Sequence, residues 1–356
     1  MTVAGYILAG VAALLHVFIF YLESIAWESP RARKVFGTTA KEAQTTKFLA
    51  FNQGFYNLFL AIVIGIGIVF AAAGEKVIGA TLTLTGVGSM FAAAVVLFVA
   101  SAAHRPAAIR RASRMLVDGD HPQAWIDPAA LDLADCGDLP LALGDIPGSL
   151  TRIESAAAAF GHLIALGGEH GITLPLLRAL AGRVGEPLAL VHFDAHVDTW
   201  PDNFGQAFAH GSVFYHAIRE RLVDPARMIQ VGIRSPVQRA VWDWTVGQGV
   251  TILSAQDVHA TMPGAVADQI RAVIGDAPAY LSFDIDSLDP AFAPGTGTPE
   301  IGGLASWQAQ AILRRLRGLD FRGMDVVEVA PAYDTAEITA LAGATLAWEY
   351  LALMGA

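Results

Sequence analysis

Cysteine is nearly absent: Cys136 is the only one in 356 residues, which excludes an internal disulfide and a thiolate metal cluster. Charge is scarce as well, with Asp, Glu, Lys and Arg making up 16% of the chain, and the balance is acidic at −10. A nucleic-acid partner therefore has no electrostatic support. The scarcity is uneven. Phe48 to Ala73 and Val77 to Ala103 carry no formal charge, and Val3 to Leu22 is apolar apart from His16. There is no internal repeat and no low-complexity linker; Ala156 to Ala159 is only a short alanine run.

Each of the three apolar segments is long enough to cross a bilayer as a helix, which takes about 20 residues. The first lacks the basic start of a cleavable signal peptide and reads as a retained anchor. Basic residues suggest an orientation. Arg31, Arg33, Lys34, Lys41 and Lys47 lie between the first two segments, and Arg105, Arg110, Arg111 and Arg114 follow the third, whereas only Lys76 separates the second from the third. The positive-inside rule then puts the amino terminus outside an inner or plasma membrane and everything after Ala103 in the cytoplasm. The lipid bilayer is thus an expected partner. Within the segments, His16, Glu23, Asn52, Gln53 and Asn57 are polar groups that would bond between helices or line a wet path. The stretch from His16 through Asn57 resembles a small bacterial family of four-helix integral membrane proteins without established activity; a fourth helix is missing here.

From Arg105 onward, helical and strand patterns alternate. A helix starts at Pro106, and a short strand is expected at Leu131–Cys136. Further strands are expected to end at Leu166 and Asp194 and to span Met228–Ile233, Val250–Ser254, Ala279–Phe283 and Met324–Val329. Helical patterns fall at 150–160, 174–181, 211–221, 237–246, 263–274, 307–316 and 335–353. This alternation predicts a parallel α/β sheet covered on both faces. Domain boundaries follow: residues 1–104 form a transmembrane helical module of three spans, and residues 105–356 an α/β domain.

Three of the predicted strands run into groups that bind metals. The strand ending at Leu166 leads to Gly167-Gly168-Glu169-His170, Val191-His-Phe-Asp194-Ala-His196-Val-Asp198 leaves the next, and Ala279–Phe283 delivers Asp284 and Asp286. Residues two apart in a strand start on one side of the backbone, so each set can converge at a carboxyl-terminal sheet edge, where open α/β folds place ligands. Four unneutralised carboxylates in one pocket would repel one another, and no Lys or Arg lies nearby in sequence. Two divalent cations cancel four such charges. Aspartate and imidazole without thiolate suit manganese best, with zinc, cobalt or nickel as alternatives. His192 is expected to point away from this set and pack in the core.

These motifs, together with Ser282-Phe-Asp284-Ile-Asp286-Ser-Leu-Asp-Pro290 and Gly295-Thr-Gly-Thr-Pro299-Glu300, resemble those of the ureohydrolases, and more closely the agmatinase branch than the arginases. The resemblance covers about Arg105 to the end. It implies an arginase-like fold, two Mn2+ per subunit and hydrolysis of a guanidino small molecule to urea and an amine; it also allows a homo-oligomer. By position, His170, Asp194, Asp198 and Asp284 would hold one ion. Asp194, His196, Asp284 and Asp286 would hold the other, with Asp194 and Asp284 bridging. Glu328 matches the guanidinium-binding position, His210 the proton-shuttling histidine, and Asp198 would give the departing amine its proton.

One departure stands out. Ureohydrolases begin with a further strand and glycine-rich loop ahead of the stretch at Pro106–Arg110, and here the third apolar segment occupies that place. That first strand lies inside the sheet, between the strand near Leu131 and the one ending at Leu166, so both neighbours should lose ladder partners. The expectation is an intact metal site in a domain of impaired stability and activity. Two alternatives stay open: a deacetylase or amidohydrolase of similar fold, or a membrane protein whose soluble part only binds metal or partners.

Overall fold

The computed structural model describes residues 2–36, 40–102, 105–116, 119–141 and 144–355. The chain divides into two compact units, Met1–Ala102 and Ala103–Ala356.

The first unit is helical: α1 (Val3–Phe20), extended by a wide π-type turn at Tyr21–Ile25, then α2 (Pro30–Phe36), α3 (Ala40–Ala72) and α4 (Lys76–Ala102). Glycine lets α3 and α4 approach closely: a Cβ on Gly67 would stand 2.5 Å from Thr83 Oγ1, and one on Gly86 2.5 Å from Ile64 Cγ1. Polar groups link α3 to the end of the first apolar segment, where Asn57 Nδ2 donates to Glu23 Oε2 at 2.9 Å and Ser24 Oγ to the Phe51 carbonyl at 2.9 Å. His16 instead bonds within its own helix, 3.0 Å from the Ala12 carbonyl. Among the described residues, two stretches, Val3–Ile25 and Ala50–Ala72, are long and apolar enough to cross a membrane. The third expected span coincides with α4, but its side chains from Phe91 onward lie outside the description.

The second unit is a six-stranded, wholly parallel sheet. Its strands are β1 (Leu163–Leu166), β2 (Leu188–Phe193), β3 (Val223–Ile233), β4 (Thr251–Ser254), β5 (Ala279–Asp284) and β6 (Phe321–Val327), in the order β1-β6-β5-β2-β3-β4. β2 and β5 are central and buried throughout, as parallel strands covered on both faces must be. One face packs on α6 (Ile146–Ala157), α7 (Thr173–Val184), α8 (Val213–Arg219) and, through Trp244, α9 (Arg239–Gly247). The other packs on α5 (Arg105–Ser113), on α10 (Ala255–Ala260) and α11 (Pro263–Ile274), and on α12 (Ser306–Leu313) and α13 (Ile338–Met354). The chain supplies the stops and starts locally. Asp145 caps α6 by accepting from Gly148 N at 2.9 Å, Gly185 at φ 84° closes α7, and Pro263 opens α11.

From β2 the chain steps outward to β3 and β4, then returns to the other side of β2 for β5 and β6. The direction of winding reverses between β2 and β5, so their outgoing loops diverge and leave a crevice at the carboxyl edge.

The strand expected at Leu131–Cys136 does not form: residues 131–141 are irregular and almost wholly exposed. Asp132, Asp135 and Asp138 favour water over a sheet, and Arg110 pairs with Asp135 at 3.0 Å and also with Asp138. β1 is consequently the edge strand, with β6 as its only described partner. α5 lies beside this edge, with Ala108, Ile109 and Ala112 buried against α13 and β1. Ile109→Ala should destabilise this unit by about 2–4 kcal/mol, measured as a shift in the urea unfolding midpoint; a change under about 0.5 kcal/mol would show that α5 does not hold the edge.

Candidate metal centre

The polar groups at the reversal point come from four strand ends. β1 leads to His170, at the start of a short 3₁₀ turn capped by Glu169, whose Oε2 accepts from Gly171 N at 2.9 Å. β2 leads to Asp194, His196 and Asp198, β5 to Asp284 and Asp286, and β6 to Glu328. Apart from His196 and the exposed Glu169, all of these are buried.

His170 Nδ1 faces three carboxylate oxygens, at 2.9 Å from Asp198 Oδ2, 3.1 Å from Asp284 Oδ2 and 3.4 Å from Asp194 Oδ2. His196 Nδ1 lies 3.1 Å from Asp194 Oδ1 and 3.2 Å from Asp286 Oδ2. The six residues expected to hold metal are thus all in one cluster, with Asp194 adjoining both imidazoles. Backbone amides set the carboxylates: Asp194 Oδ1 accepts from His196 N at 2.6 Å, Asp284 Oδ1 from Asp286 N at 2.9 Å, and Asp286 Oδ1 from Ala195 N at 3.1 Å.

The proton on His170 can be located. Its Nε2 is 2.9 Å from Ser282 Oγ, and that hydroxyl donates to Asp325 Oδ1 at 2.8 Å. Asp325 Oδ2 receives Thr173 Oγ1 at 2.6 Å and Tyr280 OH at 2.9 Å. With its own hydrogen committed to Asp325, Ser282 accepts from His170 Nε2–H. The neutral imidazole then turns a lone pair at Nδ1, which has no hydrogen-bond partner among the described residues, toward three acceptor oxygens. Only a second proton or a bound cation relieves that arrangement.

The titration preferences carry the same tension. Burial alone would depress the His170 imidazole, but Asp194, Asp198 and Asp284 hold it well above its usual range. Burial likewise opposes the charged form of His196, yet Asp194 and Asp286 push it up to about 12. Burial, then Asp286 and Asp194, drive the Asp284 carboxyl well above its ordinary value. Each imidazole is drawn toward its charged form, while the Asp284 and Asp286 carboxyls resist ionisation, chiefly through burial. A donor set of four carboxylates and two imidazoles, with an orphaned ring nitrogen among them, fits two divalent cations.

Glu328 adjoins this cluster. Its Oε1 accepts the His170 amide at 2.7 Å, its Oε2 takes no hydrogen bond from the described residues, and burial raises its carboxyl above the usual range. Asp198 and Glu328 sit at φ 49° and 60°, which costs non-glycine residues about 1–3 kcal/mol each and is typical of functional sites. His210 stands outside the buried cluster, half-exposed, with Nδ1 3.6 Å from Glu169 Oε1 and Nε2 3.0 Å from Asn203 Nδ2. The Glu169 carboxylate raises the His210 imidazole against partial burial, and Asp198 and Glu328 add to the effect.

His192 is a correction. Two residues before Asp194 it must share that side of the strand, and its Nε2 lies 2.8 Å from Asp194 Oδ2. Three other contributors were not read from sequence. Ser282 and Asp325 were legible as polar residues inside apolar strands, which are costly unless bonded. Arg234 donates to the carbonyls of Gly232, Asp286, Ser287, Leu288 and Glu300, at 2.7–3.3 Å, and ties the Asp286–Glu300 loop to the end of β3. No local pattern announces it. Beside it, Gly232 at φ 103° lets the chain pass the Asp194 carbonyl, which a Cβ would meet at 3.0 Å.

The arginase family profile matches residues 86–352, and the profile of a protein family of unknown function (DUF1304) matches residues 10–113. Agmatinases from Photorhabdus laumondii and Escherichia coli (strain SE11) are each 47% identical to this chain, over 71% of its length and 81% of theirs. Among solved structures, proclavaminate amidino hydrolase from Streptomyces clavuligerus matches with a TM-score of 0.67 at 37% identity, covering 70% of this chain and 85% of that one. A hypothetical agmatinase from Burkholderia thailandensis matches with a TM-score of 0.65 at 43% identity, covering 70% and 78%. The fold, the parallel order of its strands and these similarities agree: the chain belongs to the arginase family.

Proposed function

We propose that residues 105–356 form a dimanganese ureohydrolase that converts an agmatine-like guanidino compound and water to urea and a primary amine, tethered to a membrane by the apolar helices that precede it. The observation that carries the metal assignment is His170 Nδ1, a buried lone pair aimed at three carboxylates. His170, Asp194, Asp198 and Asp284 would hold one ion, and Asp194, His196, Asp284 and Asp286 the other. When bound, a pair of divalent cations neutralises these carboxylates and lowers the pKa of the water it holds toward neutrality.

The remaining chemistry falls to the protein. Glu328 offers Oε2 to the guanidinium, and the amide of His170 fixes the other oxygen, so the planar cation is presented in one orientation. Asp198 passes a proton to the departing amine, since a guanidine nitrogen leaves only when protonated. His210, exposed at the rim and kept basic by Glu169, exchanges that proton with solvent. Glu169 and Glu300, both partly exposed, make the rim acidic, which favours a substrate with a second positive charge over one with a distal carboxylate. The agmatinases among the relatives support the same reading. The basic residues between the first two apolar segments and after the third support a cytoplasmic hydrolase.

Two measurements test this. Manganese-loaded full-length protein in detergent should release urea from agmatine faster than from arginine, and Glu328→Gln should lower kcat/KM by about 10²–10³-fold; absence of urea from every guanidino substrate tried, with metal bound, would remove the hydrolase. Asp284→Asn should abolish binding of the metal pair. In chelator the sign reverses. The Asp284 carboxyl is raised, so its ionised form opposes folding increasingly as pH climbs above the ordinary carboxyl value. The substitution should therefore stabilise metal-free protein by about 0.5–2 kcal/mol at pH 8, fading toward pH 4, as read by urea denaturation.

A further inference from the structure

Beneath the clustered ligands runs a row of polar side chains that the reaction itself does not use. In the ladder, Gln230 of β3 stands opposite His192 of β2, His192 opposite Ser282 of β5, and Ser282 opposite Asp325 of β6. All four are fully buried. Each of the two in β2 and β5 lies two residues before a clustered carboxylate, Asp194 or Asp284, and so on the same face. Ser282 and Asp325 set the tautomer of His170. The other half of the row, Gln230 and His192, has no such partner and must be explained separately.

Its hydrogen positions are determined by its acceptors. Gln230 Nε2 is 2.7 Å from the carbonyl of Val197, which can only accept, so that atom is the amide nitrogen. The same nitrogen is 3.1 Å from His192 Nδ1, and its second hydrogen makes Nδ1 an acceptor. His192 therefore carries its proton on Nε2 and donates to Asp194 Oδ2 at 2.8 Å. Gln230 Oε1 is left buried without a partner, which shows that the nitrogen side decides how the amide is turned. A ligand atom of His192 comes within 4.8 Å of those of His170, Asp194 and Asp198, so it could be mistaken for a metal ligand. Both of its ring nitrogens are already committed.

We infer that His192 is a positioning residue: held in one tautomer by Gln230, it donates to Asp194 Oδ2 and fixes the carboxylate that adjoins both His170 and His196. The amide of His196 pins Oδ1 and His192 pins Oδ2, so the carboxylate is held in one rotation beside both imidazoles. This rests on the metal-site reading above, and the test separates the two. Manganese affinity of the full-length, metal-stripped protein in detergent would be measured by electron paramagnetic resonance, alongside its thermal unfolding in chelator. His192→Phe keeps a ring against Phe214, 4.3 Å away between centroids, but cannot donate. It should weaken manganese binding about 10–100-fold. His192→Gln, whose amide can reach the Nε2 position, should recover most of that loss. Gln230→Met, which frees the tautomer, should weaken binding as well and stands in if His192→Phe does not fold. A merely structural histidine would lower the unfolding temperature in chelator and leave the manganese affinity of the folded variants unchanged. That result, or a glutamine variant no better than the phenylalanine one, would overturn the inference. Wild-type protein that binds no manganese would overturn the metal-site reading as well.

Discussion

A lone pair on His170 Nδ1 and oxygens of Asp194, Asp198 and Asp284 share one buried space, and most of this domain follows from making that tolerable. Repulsion of this kind is unaffordable in a low-dielectric interior unless a cation intervenes. The chain places the acceptors at the carboxyl edge between β2 and β5, where winding reverses and the loops part. Backbone amides of residues 195, 196 and 286 then hold the carboxylates in place.

The site and one of the two hydrophobic cores share a face of the sheet. On β2, Leu188 and Leu190 pack among α7 and α8, His192 and Asp194 continue the same side, and only the last position reaches the cluster. A single strand therefore grades from hydrocarbon through a bonded polar residue to a clustered carboxylate over three steps of two residues. The intermediate step matters because a carboxylate placed directly on an apolar core would have no donors beneath it. Here His192 donates to Asp194, Gln230 donates to His192, and Ser282 accepts from His170 while donating to Asp325, across four strands. Such a row is tolerated because each member is bonded, Gln230 to His192 and Ser282 to Asp325. Its one lapse is Gln230 Oε1.

Alternation made much of this legible. Carboxylates and imidazoles two apart in sequence, following apolar runs, fell where period two puts them, and the strands ending at Leu166, Phe193 and Asp284 formed within a residue or so of expectation. The same rule, applied to His192, gives its true side, so that misreading was one of parity and not of missing information. The segment at 131–136 failed for a different reason: its leucines alternate as in a strand, but its aspartates need water and no partner strand lies beside it. Arg234 was illegible because its meaning lies in carbonyls 52 to 66 residues away. The third apolar segment was ambiguous in principle. The arginase match begins at residue 86, inside it, and an uncharged run of Val, Leu and Ala suits a buried parallel strand as well as a membrane helix.

That ambiguity bears on the weakest part of the domain. None of the clustered ligands precedes β1, so the donor set is complete in residues 163–328 whatever stands ahead of it. Yet β1 is four residues long, half-buried and bonded on one side only, and it delivers His170. β6, its sole described neighbour, delivers Glu328, whose carboxylate holds the His170 amide. Edge strands fray before central ones, and here fraying would move His170 and Glu328 together while leaving Asp194 and Asp284 in place on the central strands. Loss of packing beside β1 thus acts on the site through His170 first, and the four aspartates, seated on β2 and β5, are the part of the centre that persists.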